Sequence, residues 1–271
     1  MASHGIVVVP LHVILAGLEH SECVDFTAAE LAAALRKFTR VSTSRPSPQA
    51  FLDAYEAAAE RGADAVVSVH ISSDMSGTVG SAALAASQSP IPVEVVDSRT
   101  VGMAVGYAAL SAAEAAEAGQ DAKAVAALAS ARAKGATVIF YVDTLDHLRR
   151  GGRIGAASAL LGSALAIKPL LALSDGHINP IEKVRTAARA LSRLEELALQ
   201  GLETAGESGA DIAVHHLDSQ SRASALADRL RARVPSTTTV ILVELGAVVG
   251  AHVGPGTIAV AVSPRLGGGR Q

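Results

Sequence analysis

Short β-branched runs that alternate with Ala- and Leu-rich segments constrain the fold of this chain more than any other feature. Strand signals fall at residues 6–13, 65–71, 93–96 and 137–142, each flanked by turn residues. Helical patterns with charges gathered on one side fill the intervals at residues 27–38, 48–61, 79–87, 102–118 and 122–134. Such alternation implies parallel strands joined by right-handed crossovers, so the N-terminal part reads as a doubly wound parallel α/β sheet. Ligands in that architecture sit beyond the carboxyl ends of the strands, where residues 72–78 fall.

After Phe140 the rhythm changes. A Gly- and Arg-bearing segment leads into a hairpin pattern, residues 169–173 and 178–184 around Asp175-Gly176. A helix at 186–200, a strand at 211–216, a helix at 221–234 and strands at 237–245 and 257–262 complete a second α/β unit with a mixed sheet. The chain therefore divides near Lys134-Gly135 into an N-terminal α/β domain, residues 1–134, and a C-terminal α/β domain, residues 135–271. No internal repeat stands out, and residues 266–271 read as a loose tail.

With 271 residues, 49% of them apolar, the chain can fill two cores. A formal charge of −3 gives no global attraction to nucleic acid or anionic membrane, so any basic site must be local. Trp is absent and aromatics make up 3%, which leaves few platforms for stacking bases and argues against a nucleic-acid partner. The single Cys23 excludes an internal disulfide framework, agrees with a cytoplasmic setting and reads as a small core residue. Residues 6–18, interrupted by Pro10 and His12, and residues 154–167 both fall short of the ~20 needed to span a bilayer. No integral membrane segment is expected; the first run reads as a buried strand, and the second is apolar enough to line a cavity.

Residues 66–78 run from an apolar strand into a turn bearing Ser72, Ser73, Ser76 and Thr78, with an Ala-rich helix following at 80–86. Free amides and the positive dipole end at a helix start bind carboxylate or phosphate, although the same layout fits a plain capped helix. In Thr43-Ser44-Arg45-Pro46-Ser47-Pro48 the prolines set an exposed loop that starts the next helix and can emerge at the same rim as Ser76. Arg149, Arg150, Arg153, Lys168, Lys183, Arg185 and Arg189 face only Asp175 and Glu182 between residues 149 and 189. They are either solvated or, around Arg150-Gly151-Gly152-Arg153, a grip on a planar anion.

His252 lies among Gly250, Gly254 and Gly256, where the backbone can approach a ligand or the histidine can be purely structural. His215 and His216 point to opposite faces of a strand and cannot chelate one metal; no zinc spacing exists, so no metal is expected. His70, Asp97 and Ser76 fall near strand ends, but Gly-x-Ser-x-Gly, P-loop and dinucleotide patterns are all missing. No convincing catalytic machinery follows from these residues. Against that stands the alternative of a phosphotransferase or esterase-like enzyme using the Ser76 anion pocket.

An ordered set of motifs sharpens this. Thr43-Ser44-Arg45-Pro46-Ser47-Pro48, Ile71-Ser72-Ser73 with Ser76-Gly77-Thr78, Val96-Asp97-Ser98, and Val142-Asp143-Thr144-Leu145 through Arg150-Gly151-Gly152-Arg153-Ile154 resemble the DegV family of bacterial fatty-acid-binding proteins. Ile167-Lys168-Pro169-Leu170, Asp175-Gly176 and His252-Val253-Gly254-Pro255-Gly256 continue the resemblance to nearly the whole chain. It implies two α/β domains with a long-chain fatty acid between them as ligand and no cofactor. By resemblance, Thr43 and Ser76 bind the carboxylate, and Ser44, Gly77, Arg153, Arg185 and His252 are additional pocket or kinase-contact residues. The family also implies a separate ATP-dependent fatty acid kinase, whose acyl phosphate product the carrier takes to phospholipid synthesis, with at most transient membrane contact.

Departures from the family pattern are Val79 in place of an aromatic, Val253 in place of Thr, and no extra strand ending in Thr-Asp-Ser ahead of Ile6. Either that strand belongs to an earlier start or the first sheet has lost an edge. Residues 156–167 and 103–110 are expected as walls of the acyl pocket.

Overall fold

A computed structural model describes residues 4–37, 39–160 and 168–266. The predicted helix end at Phe38, the wall residues 161–167 and the tail 267–271 lie outside them. The first apolar run yields a strand later than expected: β1 (His12–Leu15) turns through Ala16 and Gly17, both at positive φ, into β2 (Leu18–Ser21). Pro10 has no amide for a ladder, and Val7 and Val8 ahead of it are 59% and 62% exposed. Cys23 is exposed rather than a core residue. In α1 (Ala28–Arg36) a capping box fixes the start, Thr27 accepting from the Glu30 amide while the Glu30 carboxylate accepts from the Thr27 amide. Then β3 (Val41–Ser44) pairs with β1, giving an antiparallel sheet of order β2-β1-β3.

Ser47 caps α2 (Pro48–Glu60), with Pro48 preset for the first turn. There follow β4 (Val66–His70), α3 (Thr78–Ala86), β5 (Val93–Asp97), α4 (Met103–Glu117) and α5 (Ala122–Gly135), the last capped by Asp121. β4 and β5 run parallel, Val66 opposite Val93 and His70 opposite Asp97. Among the described residues this pair is the whole N-terminal parallel layer, narrower than the alternation implied. The reason is pairing: β1 is antiparallel in its own sheet, and the strand at residue 137 joins another.

The larger sheet comprises β6 (Thr137–Tyr141), which the short helix α6 (Asp146–Arg150) follows, then β7 (Lys168–Ser174) and β8 (His177–Val184). After α7 (Ala187–Thr204) come β9 (Ala210–His216), α8 (Gln220–Arg231), β10 (Thr239–Glu244), α9 (Ala247–Val253) and β11 (Ile258–Pro264). The strand order is β10-β9-β11-β6-β7-β8, with β9 and β10 parallel and the remaining pairs antiparallel. The expected α/β class with a mixed second sheet is therefore present. One face of this sheet, carrying Ile139, Ile212, Val214 and Val260, is buried under Leu194 of α7 and Leu226 of α8. Full burial is worth about 1.5–3 kcal/mol per large aliphatic side chain.

Two polar junctions tie the β4–β5 unit to this sheet. Inside, Arg132 of α5 is 5% exposed, donates to Ser263 Oγ at 2.8 Å and Asp211 Oδ2 at 2.6 Å, and lies over the Tyr107 ring. Arg265 donates to the other Asp211 oxygen at 2.5 Å. Outside, the β7–β8 turn meets the turn after β4: Ser72 Oγ donates to the Gly176 carbonyl at 3.1 Å, and Arg99 pairs with Asp74 at 2.9 Å and donates to the Asp175 carbonyl. Gly176 has φ +83°, and a Cβ there would press on Asp74 and Ser72 at 2.6 Å, so glycine is required by both conformation and contact.

Burial sets the charge state of two strand histidines. His215 Nε2 accepts from the Met103 amide at 3.1 Å, at the start of α4, and His70 Nε2 lies 2.8 Å from Ser68 Oγ. Desolvation pushes both imidazoles down to about 4. Between that value and the ordinary 6.5 the unfolded chain binds more protons than the folded one. Unfolding stability is therefore expected to be full above pH 6.5 and to fall as pH drops toward 4, which urea titrations across that range will measure. Burial alone would raise the Asp211 carboxyl, but hydrogen bonds from Arg265 and Arg132 outweigh it and hold the group below its usual value. Asp211→Ala leaves Arg132 buried and unpaired and is expected to cost about 3–5 kcal/mol in the same assay at neutral pH.

Candidate functional site

Alternation along the strands puts a row of side chains, His215, Ala259, Phe140 and Leu171, on the sheet face opposite α7 and α8. Ala104 and Tyr107 of α4 cover one end of that face, packing on Val138, Ala213 and Ala261. Beside them lies a cavity of about 380 Å³, within the usual range for small-molecule sites. Phe140, Leu173 and Ile178 form its sheet side, Ile71, Met75 and Val101 come from the carboxyl ends of β4 and β5, and Val248 and Val253 from α9. The expected walls at residues 103–110 and 156–160 do not line it. α4 spends its apolar face on the neighbouring part of the sheet, and the described part of the second segment forms a short 3-10 turn packed on β8.

The polar groups collect at one place. Thr43, Ser44, Ser76, Gly77, Arg153 and His252 all line the cavity. Arg185 does not; it stands exposed between β8 and α7. Thr43 and Ser44 are the last residues of β3 rather than members of a loop, since their backbone pairs with Val13 and His12. The hydroxyls after β4 divide by their partners. Ser72 is buried on the Gly176 carbonyl, Ser73 Oγ donates to Asp97 at 2.5 Å, and Ser76 is left facing the cavity. Ser76 directly precedes α3, whose N-cap Gly77 supplies no side-chain acceptor, so the first-turn amides keep their positive end toward the site.

His252 stands in the last turn of α9, not in an open glycine loop. Its Nε2 lies 2.9 Å from Thr43 Oγ1, and burial together with the Arg153 charge pushes it down to about 4, so the imidazole is neutral at physiological pH. A side chain at Gly151 would collide with the His252 ring, which packs α6 closely on α9. Arg153 is already committed, donating to the Met75 carbonyl at 3.2 Å and the Gly151 carbonyl at 2.5 Å, and so ties the α6 turn to the Ser76 turn. Of the other basic residues between 149 and 189, Arg149 pairs with Asp146 and Lys168 with Asp143, and none lines the cavity.

Two wall features escaped the sequence reading. α9 has no local cap; the Glu22 carboxylate, 226 residues away in sequence, accepts from the Val248 amide at 2.7 Å and starts the helix. His215 also lines the cavity, a placement visible only from strand register. As for Ser76 chemistry, His70 is bonded to Ser68, and Asp97 is engaged by Ser73 and the Arg99 amide. Among the described residues no group of three or more His, Cys, Asp or Glu could hold a metal ion, and no helix is long and apolar enough to cross a membrane. The arrangement suits an amphiphile: an aliphatic tail against the sheet, and an anionic head at hydroxyls and a helix N-terminus.

Comparison with known proteins points the same way. A sequence profile described as "Uncharacterised protein, DegV family" matches residues 1–265. A DegV domain-containing protein of Streptomyces coelicolor is 53% identical over 98% of this chain and 93% of its own length. One from Mycobacterium bovis is 38% identical over 94% of this chain and 88% of its own. Among solved structures, a Thermus thermophilus DegV family protein described for its fatty acid binding superposes with TM-score 0.90 at 34% identity, covering 97% of this chain and 94% of that one. DegV of Bacillus subtilis, described as a fatty acid binding protein, gives TM-score 0.87 at 30% identity, with 97% and 93% covered. The chain belongs to the DegV family.

Proposed function

We propose that this protein is a fatty-acid carrier that holds one long-chain fatty acid in the cavity between the β4–β5 unit and the six-stranded sheet. The observation that carries this reading is the separation of polarity: hydroxyls and helix amides gather beside Thr43 and Ser76, and the sheet side is aliphatic and aromatic apart from the buried His215. Solved relatives described as fatty acid binding support it. In this reading residues 1–134 supply the carboxylate-binding turn and residues 135–271 cover the acyl chain. The carboxylate accepts from Ser76 and Thr43, with neutral His252 holding the Thr43 hydroxyl in place.

Magnitudes sort the roles. Burial of an acyl chain gains about 0.8 kcal/mol per methylene, so roughly sixteen carbons offer on the order of 12 kcal/mol before the cost of ordering the chain. A carboxylate at a helix N-terminus adds about 0.3–2 kcal/mol. The tail supplies affinity and the polar end supplies orientation. A carboxylate presented at a polar rim is also reachable by an incoming phosphoryl group. The carrier's partner is then a separate ATP-dependent fatty acid kinase, and the cargo of the cytoplasmic carrier becomes an acyl phosphate for phospholipid synthesis. For the enzymatic alternative, Ser76 would need a base, and His70 and Asp97 are bonded to other groups.

Protein purified from its expression host and extracted with organic solvent is expected to release fatty acid in about equal molar amount, read by mass spectrometry; an empty extract with no uptake of added fatty acid would sink the carrier reading. The double variant Ser76→Ala with Thr43→Val is expected to lose about 1–3 kcal/mol of fatty-acid affinity at about 0.5–1.5 kcal/mol per hydroxyl. Removing four methylenes from the ligand is expected to cost the unaltered protein about 3 kcal/mol. Calorimetry on both compares head with tail, and an unchanged double variant refutes the two hydroxyl assignments.

A further inference from the structure

A carboxylate drawn from water into a pocket needs a compensating charge, or it protonates instead. The residues already placed at the polar end do not provide one freely. Thr43 and Ser76 are uncharged, His252 is neutral, and Arg153 is engaged on two backbone carbonyls. Arg45 is different. It follows Ser44 at the end of β3, lines the cavity at its exposed rim, and has no hydrogen-bond or ion-pair partner among the described residues.

Its guanidinium lies directly over Gly77, the N-cap of α3, and even a methyl group at Gly77 would collide with it. A cation there meets the positive end of a helix dipole, where cations are disfavoured. The guanidinium and the helix start are thus two positive features side by side, and an anion between them relieves both. We propose that Arg45 neutralises the ligand head and makes the pocket select amphiphiles with an anionic head over neutral ones with the same tail. This deepens the carrier reading and rests on it. Arg is suited to the role because its planar fork pairs with both carboxylate oxygens.

The test compares palmitate with hexadecanol at pH 8, each competing against a fluorescent acyl probe, for the unaltered protein, Arg45→Gln and Arg45→Lys. Arg45→Gln is expected to weaken palmitate by about tenfold and leave hexadecanol within about twofold, erasing the preference for the acid. Arg45→Lys is expected to keep part of that preference, because a point charge replaces a bidentate one. Equal weakening of both ligands by Arg45→Gln would show a packing role and overturn the inference, as would an unchanged palmitate affinity. If the unaltered protein binds neither ligand nor the probe, the carrier reading fails and takes this inference with it.

Discussion

Everything in this structure follows from a sheet with two apolar faces and helices enough for only one and a half of them. α7 and α8 cover the first face, where Leu194, Leu226 and Leu230 are fully buried. On the second, α4 covers the end around Val138, Ala213 and Ala261, and beyond it Phe140, Leu173 and Ile178 look into a cavity. The small β1–β3 sheet and α9 enclose the rest of it, with Val13, Leu31 and Val248 packed into the same cluster as Phe140. The sheet's surplus apolar area thus becomes a compartment, with polar ends of β3 and α3 at its edge.

The two junctions around that compartment differ in strength for a simple reason. Arg132 sits out of water between Ser263 and Asp211, where loss of a partner strands a buried charge. At the β7–β8 turn, Arg99 is 47% exposed where it pairs with Asp74, and an ion pair at such exposure is worth about 0–1 kcal/mol. One seam between the β4–β5 unit and the sheet therefore rests on a buried charge pair, and the other on exposed contacts with the buried Ser72–Gly176 hydrogen bond.

The parts of this architecture that could be read in the sequence are those whose causes are local. Thr27 with Glu30, Ser47 with Pro48, Asp121 and Thr186 each write a helix start within four residues, and the four helices they open begin where the pattern says. The hairpin at Asp175-Gly176 is equally local. α9 is not legible locally because its cap is Glu22, and the start of β1 shifts to His12 because Pro10 ahead of it has no amide for the ladder. At the site, ordered motifs brought Thr43, Ser76 and His252 to notice. Arg45 could not be told from a solvated turn arginine until Gly77 was seen beneath it. Charge excess between residues 149 and 189 says nothing about which side chain already has a partner: Arg153 lines the cavity while donating to two backbone carbonyls, and Arg149 and Lys168 are paired with acids.

In the proposed carrier, the choice of groups at the polar end also answers a problem that release poses. A permanent buried cation facing the cavity would be costly when the site is empty, while the tail already contributes affinity that grows by about 0.8 kcal/mol per methylene. Hydroxyls, helix amides and a histidine held neutral by burial carry no full charge, and each adds little on meeting an anion. A charge stationed at the rim, as Arg45 is, keeps its water until an anion replaces it. Selectivity for the head can then be had without adding to a tail affinity that would otherwise make release slow.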